Sequence, residues 1–157
     1  MASFSIMFNG QYVSPILFRL VPRVCREPMD AQRSEPDGLQ GMRVLVVEDE
    51  MLLALDLEDG LREVGCDVVG PAGCVGQAMH LARQERVDAA ILDVNVAGET
   101  VFPVADILAE RQVPFLFATA YAGADELYPA DVKSVPRLPK PYTISQALRH
   151  LKGLVDA

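Results

Sequence analysis

From Arg43 onward, short aliphatic runs alternate with longer stretches of helical period, and no other feature of the chain constrains its fold as strongly. The runs RVLVV, DAAILD and VPFLFAT are apolar at successive rather than alternate positions. Such strands need cover on both faces, which a parallel sheet with helices above and below supplies. Between them, MLLALDLEDGLREVG sets Leu53, Leu57, Leu61 and Val64 at helical spacing ahead of Gly65, a ready stop. CDVVG reads as a short strand, and residues 74–86 as a second helix with Val75, Ala78, Met79 and Ala82 inward. GETVFPVADILAERQ gives a third helix, its first turn tolerant of Pro103. AYAGADELYPAD is poorly periodic and allows only a short or distorted fourth helix. SVPRLPKPY supplies a last strand, with Pro136 near an edge, and TISQALRHLKGLV a closing helix with Thr143 near its start. Repeated βα units of this kind predict an α/β fold of five parallel strands and about five helices, with Met51, Met79, Phe102, Phe115 and Phe117 in the core.

The 157 residues suit one domain with a sizeable core. The formal charge of −8 is unevenly placed: residues 1–41 carry four Arg against four acids, whereas residues 42–157 carry ten Lys or Arg against eighteen acids. An acidic domain is a poor ligand for phosphate backbones, so nucleic acid is set aside as a direct partner. Cys25, Cys66 and Cys74 show no C-x-x-C spacing, which points away from disulfides and zinc and toward a cytoplasmic location. His80 and His150 stand alone and read as helical surface or half-buried residues rather than metal or catalytic ones. No stretch is long and apolar enough to span a membrane. The opening segment lacks a basic start and is broken by Asn9, Gly10, Ser14 and Pro15, unlike a signal peptide. Residues 22–41, with Pro22, Pro28, Pro36, Gly38 and Gly41, read as a solvated linker. Residues 1–41 are therefore expected to be mostly disordered, as an extension that docks on a partner or as the product of an upstream start, with Met42 the original initiator. The folded domain is expected over 42–157.

The first apolar run ends in three acids, Glu48, Asp49 and Glu50. Like charges 4 Å apart repel by about 4 kcal/mol at an effective dielectric near 20, so the cluster destabilises the fold unless a cation offsets it. In a parallel sheet the strand ends share one edge, the side on which ligands bind. Glu48 and Asp49 after the first strand, Asp93 after the third, Thr119 after the fourth and Lys140 after the fifth would meet there. Hard oxygen donors in that number suit Mg²⁺. A carboxylate can also attack phosphorus, and Asp93, which follows the most apolar strand, is the candidate nucleophile. Thr119 and Lys140 would hold the remaining phosphoryl oxygens. Glu50 reads as a solvated acid at a helix start. Gly70, Gly73 and Gly76 do not form G-x-G-x-x-G, and there is no G-K-[ST] loop, so dinucleotide and P-loop chemistry are not indicated.

With VVEDE, ILDVN, FATA and LPKPY in this order, each at a strand end, residues 42–157 resemble the receiver domain of two-component response regulators. The resemblance implies a doubly wound sheet in the flavodoxin-like order 2-1-3-4-5. It implies a phosphoryl group accepted on Asp93 from a histidine kinase or phosphotransfer protein, with Mg²⁺ on Asp49, Asp93 and the main-chain carbonyl of Asn95, and Glu48 acting through a metal-bound water. It also implies a cis Lys140–Pro141 bond. Phe117, Ala118, Thr119 and Tyr121 resemble the stand-alone FAT GUY receivers associated with HWE-type kinases, with Ala120 where that group usually has glycine. Arg137 stands where most receivers carry an aromatic switch residue, and Tyr121 is expected to take that part instead. The implied function is a single-domain, self-phosphorylating signalling module, not a turnover enzyme, which works through contacts with a downstream protein or as a phosphate relay or sink. The alternatives are a phosphorylation-independent scaffold and, further off, an aspartyl-phosphate phosphatase, for which Asn95 supplies no second acid.

Overall fold

The computed structural model describes residues 38–157 and two short strands nearer the start, β1 (Ile6–Phe8) and β2 (Gln11–Val13). The chain divides into two units, Met1–Ser34 and Glu35–Ala157. In the first, β1 and β2 pair antiparallel, Ile6 opposite Val13 and Phe8 opposite Gln11. The disorder expected for residues 1–41 otherwise falls largely outside the described residues.

The second unit is built on five strands: β3 (Arg43–Val47), β4 (Asp67–Ala72), β5 (Ala89–Asp93), β8 (Phe115–Thr119) and β9 (Arg137–Pro139). They lie in the order β4-β3-β5-β8-β9, all parallel, which is the expected 2-1-3-4-5 arrangement. Three helices connect them, α1 (Met51–Glu63), α2 (Val75–Gln84) and α3 (Phe102–Glu110), and α4 (Ile144–Val155) follows the last strand. The pleat sorts the core. Val44, Val46, Ala89, Ile91, Leu116 and Ala118 face one way, onto Leu57 and Leu61 of α1 and Ala147 and Leu151 of α4. Leu45, Val47, Ala90, Leu92, Phe115 and Phe117 face the other, onto Ala78 and Ala82 of α2 and Val104 and Leu108 of α3. Each of β5 and β8 is buried at every position, as their unbroken apolar runs require.

Local chemistry sets several boundaries. Gly65 ends α1 at a φ of 84°, in the left-handed region where a Cβ is unfavourable. Thr143 caps α4 in a reciprocal capping box with Gln146. β4 runs on to Ala72 through a cis Gly70–Pro71 bond, longer than the five residues CDVVG suggest. After β5 a small hairpin, β6 (Asn95–Val96) and β7 (Glu99–Thr100), turns at Ala97 and Gly98, both with positive φ, and α3 starts only at Phe102.

Between β8 and β9 no α-helix forms. The connection carries two 3₁₀ turns, Asp125–Leu127 and Ala130–Val132, which realise the irregular fourth helix and leave four α-helices among the described residues rather than about five. Met51 corrects a core expectation, since it is 74% exposed. It begins α1 on the side away from the sheet, and the buried positions of that helix are Ala54, Leu57, Gly60 and Leu61. The packed unit also reaches back beyond Met42. Leu39 is 1% exposed, its carbonyl accepts from the Cys66 thiol, and Gly41 donates to the Gly65 carbonyl.

Candidate functional site

Each strand of the sheet delivers its last residues to one edge. Asp93 and Thr119 are the final residues of β5 and β8, Glu48 and Asp49 directly follow β3, and Lys140 directly follows β9. Pairing fixes these ends relative to each other: Asp93 lies opposite Ala118, and Thr119 opposite Pro139. The Lys140–Pro141 bond is cis. All five sequence-nominated side chains with chemistry thus share one edge.

Their geometry is close. Carboxylate oxygens of Glu48, Asp49 and Asp93 lie within 4.8 Å of one another. Lys140 Nζ bridges two of these acids, 2.7 Å from Glu48 Oε2 and 2.6 Å from Asp93 Oδ2. The other oxygens of the acids are also engaged. Glu48 Oε1 accepts from the Glu50 N–H at 3.2 Å, and Asp93 Oδ1 from the Asn95 N–H at 3.2 Å. Asp49 Oδ2 accepts from the Ala97 N–H at 2.9 Å, which ties the β6–β7 turn to the acidic pair. Thr119 Oγ1 accepts from the Tyr121 N–H at 3.0 Å. Asp49, Asp93, Asn95, Thr119, Tyr121 and Lys140 line one cleft.

Burial shapes the electrostatics. Glu48 is 3% exposed, and this desolvation raises its pKa above the ordinary carboxylate range; the Lys140 bond pulls it back and Asp93 pushes it up further. Burial alone would lower the pKa of Lys140, but its bonds to Asp93 and Glu48 outweigh that and raise it. Tyr142, just past the cis bond, has its pKa raised by burial and by the charges of Glu48, Asp93 and Glu50. Three carboxylates against one ammonium leave the site two negative charges in excess. Their oxygens are hard donors on a cleft wall, so the residues fit a divalent cation such as Mg²⁺. Both oxygens of Glu48 and both of Asp93 are already bonded, and Glu48, at 3% exposure, is the most buried of the three.

Sequence reasoning missed three participants. Ala97 reaches Asp49 through its backbone, and only the Ala-Gly pair at 97–98 hints at a turn there. Among the described residues, the buried hydroxyl of Tyr142 has no hydrogen-bond partner. Arg137 holds the loop after Thr119, as described below.

Comparison with known proteins bears on this arrangement. No protein-family model matches the chain. The curated protein PdtaR, a transcriptional regulatory protein of Mycobacterium tuberculosis, is 32% identical over 122 residues, covering 76% of this chain and 60% of its own length. The chain thus spans about 60% of that relative. Among solved structures, SdrG of Sphingomonas melonis is 36% identical with a TM-score of 0.62, over 74% of this chain and 98% of that one. The receiver domain of HemR from Leptospira biflexa is 28% identical with a TM-score of 0.65, over 74% of this chain and 95% of that one. The chain belongs to the response regulator receiver family. In this receiver domain the acidic cluster lies at the strand ends of a two-component signalling fold. Among the described residues, no helix is long and apolar enough to cross a membrane.

Proposed function

We propose that the receiver takes a phosphoryl group from a phosphohistidine of a sensor histidine kinase onto Asp93. The observation that carries this reading is the convergence on Asp93, where Lys140 Nζ sits 2.6 Å from one carboxylate oxygen and the Asn95 N–H 3.2 Å from the other. In the transfer, an Asp93 oxygen bonds to phosphorus as the P–N bond to imidazole breaks, the electron pair leaving with the ring nitrogen. Lys140 neutralises a phosphoryl oxygen, and the Thr119 hydroxyl donates to another. Asp49, Asp93 and the main-chain carbonyl of Asn95 would hold Mg²⁺, with Glu48 contributing through a water. The bound ion supplies charge neutralisation for the phosphoryl oxygens.

The finer assignment is a stand-alone cytoplasmic receiver of the FAT GUY group served by an HWE-type kinase, supported by Phe117, Ala118, Thr119 and Tyr121. Its output is contact with a downstream protein, or passage or draining of the phosphate. Incubation with Mg²⁺ and acetyl phosphate, followed by phosphate-sensitive electrophoresis, tests the central claim. The wild-type chain should shift and Asp93→Asn should not; retained labelling of Asp93→Asn removes Asp93 from the role.

A further inference from the structure

The loop that leaves Thr119 is held from below by one side chain. Arg137 stands on β9, opposite Phe117 in the sheet register, so its backbone is fixed while its guanidinium reaches into the loop. Nη1 donates to the Ala122 carbonyl at 2.8 Å and also pairs with Asp125, and Nη2 donates to the Lys133 carbonyl at 3.1 Å. The cation lies 3.9 Å from the centre of the Tyr128 ring. That ring is 3% exposed and packs against Phe102 and Phe117, which makes a rigid floor. Arg137 thus joins β9, the loop after β8 and the chain around both 3₁₀ turns at a single point. Its charge, shape and stacking are all used, a combination a lysine lacks.

The consequence for the site runs through three residues. Ala122 is pinned by Arg137, which fixes the path of Tyr121, and the Tyr121 N–H donates to Thr119 Oγ1 at 3.0 Å. A hydroxyl has one proton to donate and accepts through its lone pairs. With that N–H occupying the loop side of the oxygen, the Thr119 proton is left to point into the cleft, where a phosphoryl oxygen on Asp93 would accept it. We propose that Arg137 is a positioning residue for phosphoryl acceptance, acting on the Thr119 hydroxyl through the Ala122–Tyr121 backbone. This inference rests on the phosphoacceptor reading given above.

The wild-type chain of residues 1–157, Arg137→Lys, Thr119→Ala and the double variant are compared for the rate of labelling by acetyl phosphate, Mg²⁺ affinity, thermal midpoint and hydrogen exchange at the Tyr121 amide. Arg137→Lys keeps an aliphatic stem over Tyr128 and a positive charge but cannot fork to two carbonyls. It should label about 10- to 100-fold more slowly, the range expected when a reacting group is misplaced by about 1 Å. Its Mg²⁺ affinity should match wild type, and its Tyr121 amide should exchange faster. In the Thr119→Ala background the same change should slow labelling less than about twofold, because the group it positions is gone. Wild-type labelling rates in Arg137→Lys overturn the proposal, as does an equal slowing with and without Thr119. Unchanged exchange at Tyr121 overturns it regardless of labelling. If wild type itself is not labelled, the phosphoacceptor reading fails first, and the amide exchange still reports on the clamp.

Discussion

Replacing Lys140 with Met preserves the stem and deletes the only ammonium among the site groups named above. Two charge-assisted bonds are lost, at 2.7 Å to Glu48 and 2.6 Å to Asp93, and Glu48 is left 3% exposed beside another carboxylate. Breaking a buried pair costs about 3 to 5 kcal/mol. Two facts moderate that here. The lysine side chain is 20% exposed, and Glu48, its pKa already raised by desolvation, can take up a proton. A net loss of about 2 to 3 kcal/mol in EDTA near neutral pH follows, or roughly 10 °C in the thermal midpoint of a domain this size. A Glu48 pKa raised in the folded variant above its unfolded value means stability is fully present below the unfolded carboxylate range and is lost as pH rises through the folded pKa. The deficit should therefore close on acidification. Saturating Mg²⁺ should also narrow it by roughly half, because the removed ammonium repelled the ion; an affinity gain of about tenfold corresponds to about 1.4 kcal/mol. Differential scanning fluorimetry with EDTA and with Mg²⁺ across pH reads all three effects. Equal midpoints for variant and wild type in EDTA, or a deficit that Mg²⁺ leaves untouched, would refute the electrostatic account.

Other outcomes follow from packing and burial. Gly60→Ala gains about 1 kcal/mol of helix propensity, but its Cβ would lie 2.2 Å from Ile144 Cγ2, so the thermal midpoint should fall, and adding Ile144→Ala should restore it. Leu39→Ala should destabilise the domain by about 2 to 5 kcal/mol in urea unfolding, and a chain begun at Met42 should be comparably weakened. Burial, with Asp67 nearby, raises the pKa of the Cys66 thiol, so its stabilising contribution is present below the unfolded thiol value and lost as pH rises above about 8.5. Cys66→Ala should flatten that alkaline decline in thermal midpoint.

Much of the site was legible before any coordinates because its residues sit at the ends of apolar runs, and an end is a local property. ILD and FAT announce Asp93 and Thr119 by the buried strands that carry them. Tyr121 and Asn95 could be nominated only through resemblance, since neither interrupts a period, and Arg137 was passed over as a departure from the family pattern. The direction in which Met51 points was misjudged, because composition marks a residue as apolar without saying which side of a helix it occupies. Leu39 was assigned to a linker for the converse reason: a single apolar residue among Pro, Gly and charge carries no period, yet it joins the core cluster that holds Val44, Leu61 and Cys66.

By itself, the order of residues determined the alternation of strand and helix, the burial of the sheet on both faces and which chemical groups would stand at its edge, since periodicity and apolar run length act within a dozen residues. Only the tertiary structure decided how those groups meet. Lys140 reaches Glu48 across 92 positions of chain and Asp93 across 47, and Arg137 grips Ala122 across 15. Distances of that kind are set by parallel pairing and by the crossovers that bring β9 beside β8, and no local pattern encodes them.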